Sequence, residues 1–303
     1  MTQRLTGLIA APHTPMHPDG RLKLEVIEKQ AEFLARNRVT GAFVCGSTGE
    51  SMSLTVPERM EVAGRWCKAA PGDFPVIVHV GHTCLADCKA LAAHAQESGA
   101  SAIAAMAPFF FKPGAVEDLV SFCVEVAAAA PGLPFYYYHI PSLTGVGFAM
   151  FDFLTLAAKR IPTLAGIKFT HEDLIDYGRC VDFEDGRFDV LFGRDECLLA
   201  GLALGATGGV GSTYNFAAPV YLRIIGAFRA GRMDEARRDQ ARAREMVVVF
   251  IRFGGLVAGK AMMKLVGLDC GPVRPPLSNL TPEQFDAMRV ELDRIGFFSF
   301  CSK

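Results

Sequence analysis

Eight short apolar, β-prone segments recur along the chain at intervals of about 30 residues, the length of one strand plus one helix. They begin at Leu5, Thr40, Phe74, Ser101, Pro134, Leu164, Phe188 and Ala206. Runs that are apolar almost throughout, rather than alternating with polar residues, belong to strands buried on both faces, as in a parallel sheet. Helix-like stretches separate them. Thr55-Val56-Pro57-Glu58 has the pattern of a helix start, with threonine as cap, proline in the first turn and glutamate three residues after the cap. Residues 231–253, GRMDEARRDQARAREMVVVFIRF, read as a longer charged helix beyond the eighth strand.

Eight strand–helix units with no Gly/Ser/Pro linker to divide them predict a single (β/α)8 TIM barrel over residues 1–230, carrying residues 231–303 as a C-terminal helical extension packed on it. A doubly wound open sheet is the alternative, but such sheets usually use fewer strands, and no G-x-G-x-x-G follows the first strand here.

In such a barrel the active site lies where strands end and βα loops begin. The unusual residues gather there: GSTGE after strand two, YYYHIPSLTG after five, KFTHED after six, GRDE after seven and GSTYN after eight. Lys168 ends an apolar run, and a lysine in that place needs a partner, solvent or a chemical task. It could snorkel to water or pair with Glu172 or Asp173. Alternation puts Gly166, Lys168 and Thr170 on one face, and Tyr136 and Tyr138 on one face of the preceding strand, so Lys168 and Tyr138 could meet at the barrel mouth. A poorly solvated lysine loses its proton readily, and its amine condenses with a ketone to a Schiff base that a nearby phenol can serve with protons.

GAFVCGSTGE, residues 41–50, is a near miss to a phosphate-binding loop, because Ser47 stands where the lysine belongs. It could present backbone N–H groups and two hydroxyls to a carboxylate, or be a turn that needs glycine for its dihedral angles. GRDE could equally start a capped helix. The run His79, His82, Cys84 and Cys88 matches no standard zinc spacing, so neither metal nor cofactor is expected.

Charge narrows the partner. Thirty-one basic against thirty-two acidic residues carry no cationic excess for nucleic acid, and a small molecule is the expected partner. The apolar run MVVVFI, residues 246–251, stops at Arg252, and His13 and Pro15 interrupt the first apolar stretch, so neither a membrane span nor a signal peptide is expected. Nine cysteines without framework spacing suggest reduced thiols, no disulfides and a cytoplasmic location.

Taken together, GSTGE (46–50), YYYHIPSLTGV (136–146), GIKFT (166–170), GRDE (193–196) and GSTYN (211–215) resemble, in order and through nearly the whole chain, the N-acetylneuraminate lyase branch of the dihydrodipicolinate synthase superfamily, with AAAAPGLPFYYYHIPSLTG most like the animal type. The resemblance implies a pyruvate-dependent class I aldolase, a homotetramer in most cases, that cleaves N-acetylneuraminate to N-acetylmannosamine and pyruvate. It implies Lys168 as the Schiff-base lysine and Tyr138 as the proton relay; because free tyrosine has a pKa of ~10, that relay needs a helper, either Ser47 or the substrate carboxylate. Ser47 and Thr48 would hold the pyruvyl carboxylate, and Thr170, Gly193, Asp195, Glu196 and Ser212 would face the sugar. Relatives that make dihydrodipicolinate carry Gly-Arg where this chain has Ser142-Leu143, and a neutral leucine favours a polyol over a second carboxylate. Many relatives insert a tyrosine from a neighbouring subunit where this chain has Phe110. The competing expectations are an aldolase for another 2-keto acid such as 2-keto-3-deoxygluconate, one for phosphorylated sugars, and a keto-acid-binding paralogue without turnover.

Overall fold

The computed structural model describes residues 4–303. Its eight strands are β1 (Gly7–Ala10), β2 (Gly41–Val44), β3 (Val76–His79), β4 (Ala102–Met106), β5 (Phe135–His139), β6 (Leu164–Phe169), β7 (Asp189–Phe192) and β8 (Gly208–Gly211). All neighbours pair in parallel, and β8 returns to β1, closing a (β/α)8 barrel. The strands are shorter than the apolar segments that announce them, because the flanking residues turn into loops at both barrel ends. Helices α1 (Ile27–Arg36), α2 (Val56–Ala69), α3 (Leu85–Glu97), α4 (Val116–Ala128), a single turn α5 (Pro141–Thr144), α6 (Met150–Arg160), α7 (Leu174–Asp182), α8 (Leu198–Ala203) and α9 (Tyr214–Arg229) cover the outside.

Local chemistry sets the boundaries. The α2 start is a full capping box: Thr55 Oγ1 accepts from Glu58 N at 3.3 Å while Glu58 Oε2 accepts from Thr55 N at 2.8 Å. Gly166 sits where β7 crosses β6 so closely that a Cβ would collide with the Asp189 carbonyl. Inside the barrel, Ile9, Phe43, Ile77, Tyr138, Leu191 and Val210 form one apolar cluster, separate from the larger one between strands and helices. Both strand faces are therefore buried, which is why their sequences read as unbroken apolar runs.

After α9 the chain continues as α10 (Met233–Arg252), α11 (Leu256–Leu265) and α12 (Pro282–Arg294). Gly254 and Gly255, at φ of 92° and 59°, turn α10 into α11 through 117°. Among the described residues no single helix is long and apolar enough to cross a membrane. Hydrogen bonds and an ion pair tie this C-terminal segment to the barrel, among them Gln240 to the loop after β7, Lys260 and Arg274 to the loop after β2, and Ser302 N to Phe216 O at 2.8 Å.

Candidate active site

Lys168 stands one residue before the end of β6 in the barrel interior, 4% exposed, with its Nζ 4.0 Å from the Phe43 ring centre and 3.9 Å from that of Tyr138. The two carboxylates that could have neutralised it are engaged elsewhere. Glu172 pairs with Arg194 at 2.7 Å and lies beside His171, while Asp173 caps α7 by accepting from the N–H groups of Ile175 and Asp176 at 3.1 and 3.0 Å. Among the described residues Lys168 forms no ion pair. Burial lowers its amine to about 7, only partly opposed by the negative charge of Asp195.

Register brings the phenol to the amine: across the β5–β6 ladder Tyr138 stands opposite Lys168. The Tyr138 hydroxyl is 3.3 Å from Ser47 Oγ on the loop after β2. Burial pushes the phenol up to about 12, with the Ser47 contact pulling the other way. Tyr138 is therefore a neutral phenol near neutral pH.

The loop after β2 is shaped differently from the expectation of glycine turns. The left-handed residues are Cys45 (φ 56°) and Glu50 (φ 57°), which flank the loop. Gly46 is instead confined by contact, since a Cβ there would lie 3.0 Å from the Phe43 ring. Strain at non-glycine residues persists only where neighbours enforce it. For Glu50 the enforcers are Lys260 Nζ, 2.7 Å from Oε1, and the Arg274 N–H, 2.9 Å from Oε2.

On the opposite rim, GRDE does not cap a helix. Asp195 is buried and turned inward, its Oδ2 accepting from Thr213 N at 2.9 Å and from Thr213 Oγ1 at 2.6 Å. The Tyr221 hydroxyl lies 2.7 Å from the same Oγ1 and donates to it, because the threonine proton is already committed to the carboxylate. Burial raises Asp195 to about 6 against the pull of Thr213. Gly193 and Gly211 leave room for this arrangement; a Cβ would strike Thr170 Oγ1 at the first and the Asp195 carboxylate at the second. Arg194 bridges Glu172 and Glu196, at 2.7 and 2.9 Å.

These side chains line one cavity of about 220 Å³ at the C-terminal end of the strands. It gathers every expected site residue: Ser47, Thr48, Tyr138, Lys168, Thr170, Gly193, Asp195, Glu196 and Ser212. It also includes Thr213 and, from α10, Val247, Phe250 and Ile251, which sequence reasoning did not place there. The only sequence signal for that wall was the length of the helix beyond the eighth strand. An adjoining apolar hollow of 270 Å³ shares Ser47 and is lined by Met52, Met106, Phe109 and Leu143. A larger hollow of 660 Å³ lies at the opposite barrel end, beside Tyr136 and Ser101, away from this chemistry.

The fold separates His79 from the rest of the His/Cys run, while His82, Cys84 and Cys88 stay together through hydrogen bonds to the His82 backbone and ring. His79 Nδ1 bonds Cys45 O at 2.9 Å, whereas His82 Nδ1 accepts from Cys84 N at 3.0 Å. Among the described residues no three His, Cys, Asp or Glu side chains are grouped to hold a metal. All nine cysteines are unpaired.

A model of the dihydrodipicolinate synthetase family matches residues 4–295. The chain is 43% identical over 303 residues to the N-acetylneuraminate lyase of Rattus norvegicus, covering 98% of this chain and 95% of that protein. It is 42% identical over 303 residues to that of Homo sapiens, again covering 98% and 95%. Among solved structures, the N-acetylneuraminate lyase of Proteus mirabilis superposes with a TM-score of 0.95 at 42% identity, over 97% of this chain and 100% of the other. The native sialic acid aldolase of Aliivibrio salmonicida does so with 0.95 at 43% identity, over 97% and 98%.

Proposed function

The chain belongs to the dihydrodipicolinate synthetase family, and from that membership and the surroundings of Lys168 we infer that it is a carbon–carbon lyase, a sialic acid aldolase that cleaves N-acetylneuraminate to N-acetylmannosamine and pyruvate. The observation that carries the mechanism is a buried lysine with no counter-ion among the described residues, held between the Phe43 ring and the Tyr138 phenol. The Lys168 amine adds to the C2 ketone of the open-chain sugar and water leaves, giving an iminium. Its positive charge draws the C3–C4 bonding electrons into an enamine as Tyr138 takes the C4 hydroxyl proton, which releases N-acetylmannosamine as the aldehyde. Tyr138 returns a proton to C3, and water hydrolyses the imine to pyruvate and free amine.

A phenol raised to about 12 gives up its own proton only with help. That proton passes through Ser47 Oγ, 3.3 Å away, to the carboxylate of the bound pyruvyl group, and the iminium charge above the ring stabilises the phenolate left behind. Phe110 has no hydroxyl, so the relay runs through Ser47 within the chain. Ser47 and Thr48 receive the pyruvyl carboxylate, and Thr170, Gly193, Asp195, Glu196 and Ser212 the sugar. Leu143, on the apolar side of Ser47, offers no charge to a second carboxylate. The protein works as a homotetramer in the cytoplasm: Phe110 and Phe111 are 74% and 86% exposed, an apolar patch suited to a second copy, and nine unpaired thiols suit a reducing compartment.

Pyruvate release from N-acetylneuraminate, compared with that from 2-keto-3-deoxygluconate, tests the substrate. Faster release from the sialic acid is expected, and dominance of the second would move the protein to the sugar-acid aldolases. The amine also sets a pH limb. With Lys168 near 7, the fraction present as nucleophilic amine falls roughly tenfold per pH unit below that value and levels off above it. Pyruvate adduct trapped with cyanoborohydride and followed by intact mass should show a limb centred near 7; one centred near 10 would mean an ordinary lysine.

A further inference from the structure

Behind the loop after β2 lies a closed circuit of three buried residues that the reaction scheme leaves unused. Arg59, on α2, donates from Nη2 to His79 O at 2.7 Å and from Nη1 to Gly81 O at 3.0 Å. His79 Nδ1 lies 2.9 Å from Cys45 O, and the Cys45 thiol returns to Arg59 O at 3.7 Å. All three residues are at most 2% exposed. Arg59 forms no ion pair among the described residues, so its charge is met by carbonyl dipoles.

The circuit determines the state of the imidazole. A carbonyl only accepts, so Nδ1 carries the proton, and Nε2 is left buried and unpartnered. Burial first, and the Arg59 charge second, hold His79 well below its ordinary pKa, so the ring stays neutral. Its donor fixes the peptide plane between Cys45 and Gly46, at the residue whose φ of 56° an L side chain rarely adopts. The next two residues are Ser47 and Thr48. The same imidazole meets the Tyr138 ring edge-on, with ring centres 5.7 Å apart and planes at 89°. Both members of the Ser47–Tyr138 contact therefore rest on one side chain.

We propose that His79 is a positioning residue for the lyase reaction, aiming the Cys45–Gly46 peptide so that Ser47 and Thr48 meet the pyruvyl carboxylate and Ser47 remains within reach of Tyr138. This rests on the carboxylate role assigned above to Ser47 and Thr48. The test uses the full chain and pyruvate itself, reading the concentration that gives half-maximal trapped adduct on Lys168. His79→Phe keeps a ring but removes the donor, and half-saturation should rise about tenfold, the scale of one buried hydrogen bond. His79→Asn restores a donor near the Nδ1 position and should return to within about threefold of wild type. The pH limb should stay near 7 in both, because the rings around Lys168 remain.

A role confined to stability would lower Tm in both variants without separating them in pyruvate affinity, and that result overturns the proposal. So does unchanged half-saturation in folded His79→Phe. Should that variant not fold, His79→Gln displaces the donor by one bond and carries the same expectation; wild-type affinity in it is equally fatal. A wild-type protein that takes no adduct at all sinks the Schiff-base reading underneath, a failure seen before any variant is made.

Discussion

Lys168→Ala should lower sialic acid cleavage by on the order of 10⁴-fold or more while leaving the barrel folded. The reason lies in the bond-making step. Without the amine no iminium forms, and the C3–C4 bonding electrons lose the acceptor that the proposed mechanism gives them. Arginine should not rescue, since a guanidinium stays protonated at any working pH. Two measurements decide it: pyruvate release under saturating substrate, and intact mass with peptide mapping after pyruvate and borohydride. A pyruvyl adduct on Lys168 in the wild type, absent from the variant, is expected. Persistent turnover, or an adduct on another lysine, would dismiss Lys168 as the nucleophile.

The second large effect concerns the other buried lysine. Lys260 is as sequestered as Lys168, both at 4% exposure, yet its Nζ lies 2.7 Å from Glu50 Oε1 and donates to Pro272 O at 2.5 Å. Burial lowers its pKa, and the Glu50 charge opposes that shift. Lys260→Met keeps the volume but strands the Glu50 carboxylate in the protein interior. Removing one partner of a buried pair costs about 3–5 kcal/mol. Denaturant unfolding at neutral pH should show that loss, with Tm lower by roughly 5–10 °C.

Because both charges leave together, Glu50→Gln combined with Lys260→Met should be more stable than Lys260→Met alone, a non-additivity expected of residues in contact. A loss under about 1 kcal/mol in Lys260→Met would mean that the pair is dispensable. Glu50 ends the loop that carries Ser47 and Thr48, so the single variant should also bind pyruvate more weakly. That consequence ties the C-terminal helices to the chemistry.

How far the site could be read from the chain depends on the range of the forces involved. The eight-strand pattern, the Thr55 capping box and the Lys168–Tyr138 pairing were legible because they follow from local periodicity: alternation along a strand, and adjacency of consecutive strands. The glycines of GSTGE were misleading in detail, since the left-handed residues are Cys45 and Glu50, held by His79 and by the Lys260–Arg274 pair from far along the chain. GRDE was equally ambiguous. Its aspartate could have capped a helix, and only contact with Thr213 from the next strand's loop turned it inward.

The sequence by itself determined the barrel, the order of its parts and which residues stand at the strand ends, because hydrophobic burial and strand alternation are written in neighbouring residues. It also carried the motifs that resemble those of the N-acetylneuraminate lyases. Only the tertiary structure decided which buried lysine is free. Lys168 and Lys260 both lie among apolar residues, but pairing depends on carboxylates brought near through space: Glu50 reaches Lys260 across the fold, whereas Glu172 and Asp173, close to Lys168 in sequence, are drawn away by Arg194 and by the start of α7. A charge buried with its partner is structural. One buried without a partner gives up its proton more readily, which is what the nucleophilic role proposed for Lys168 requires.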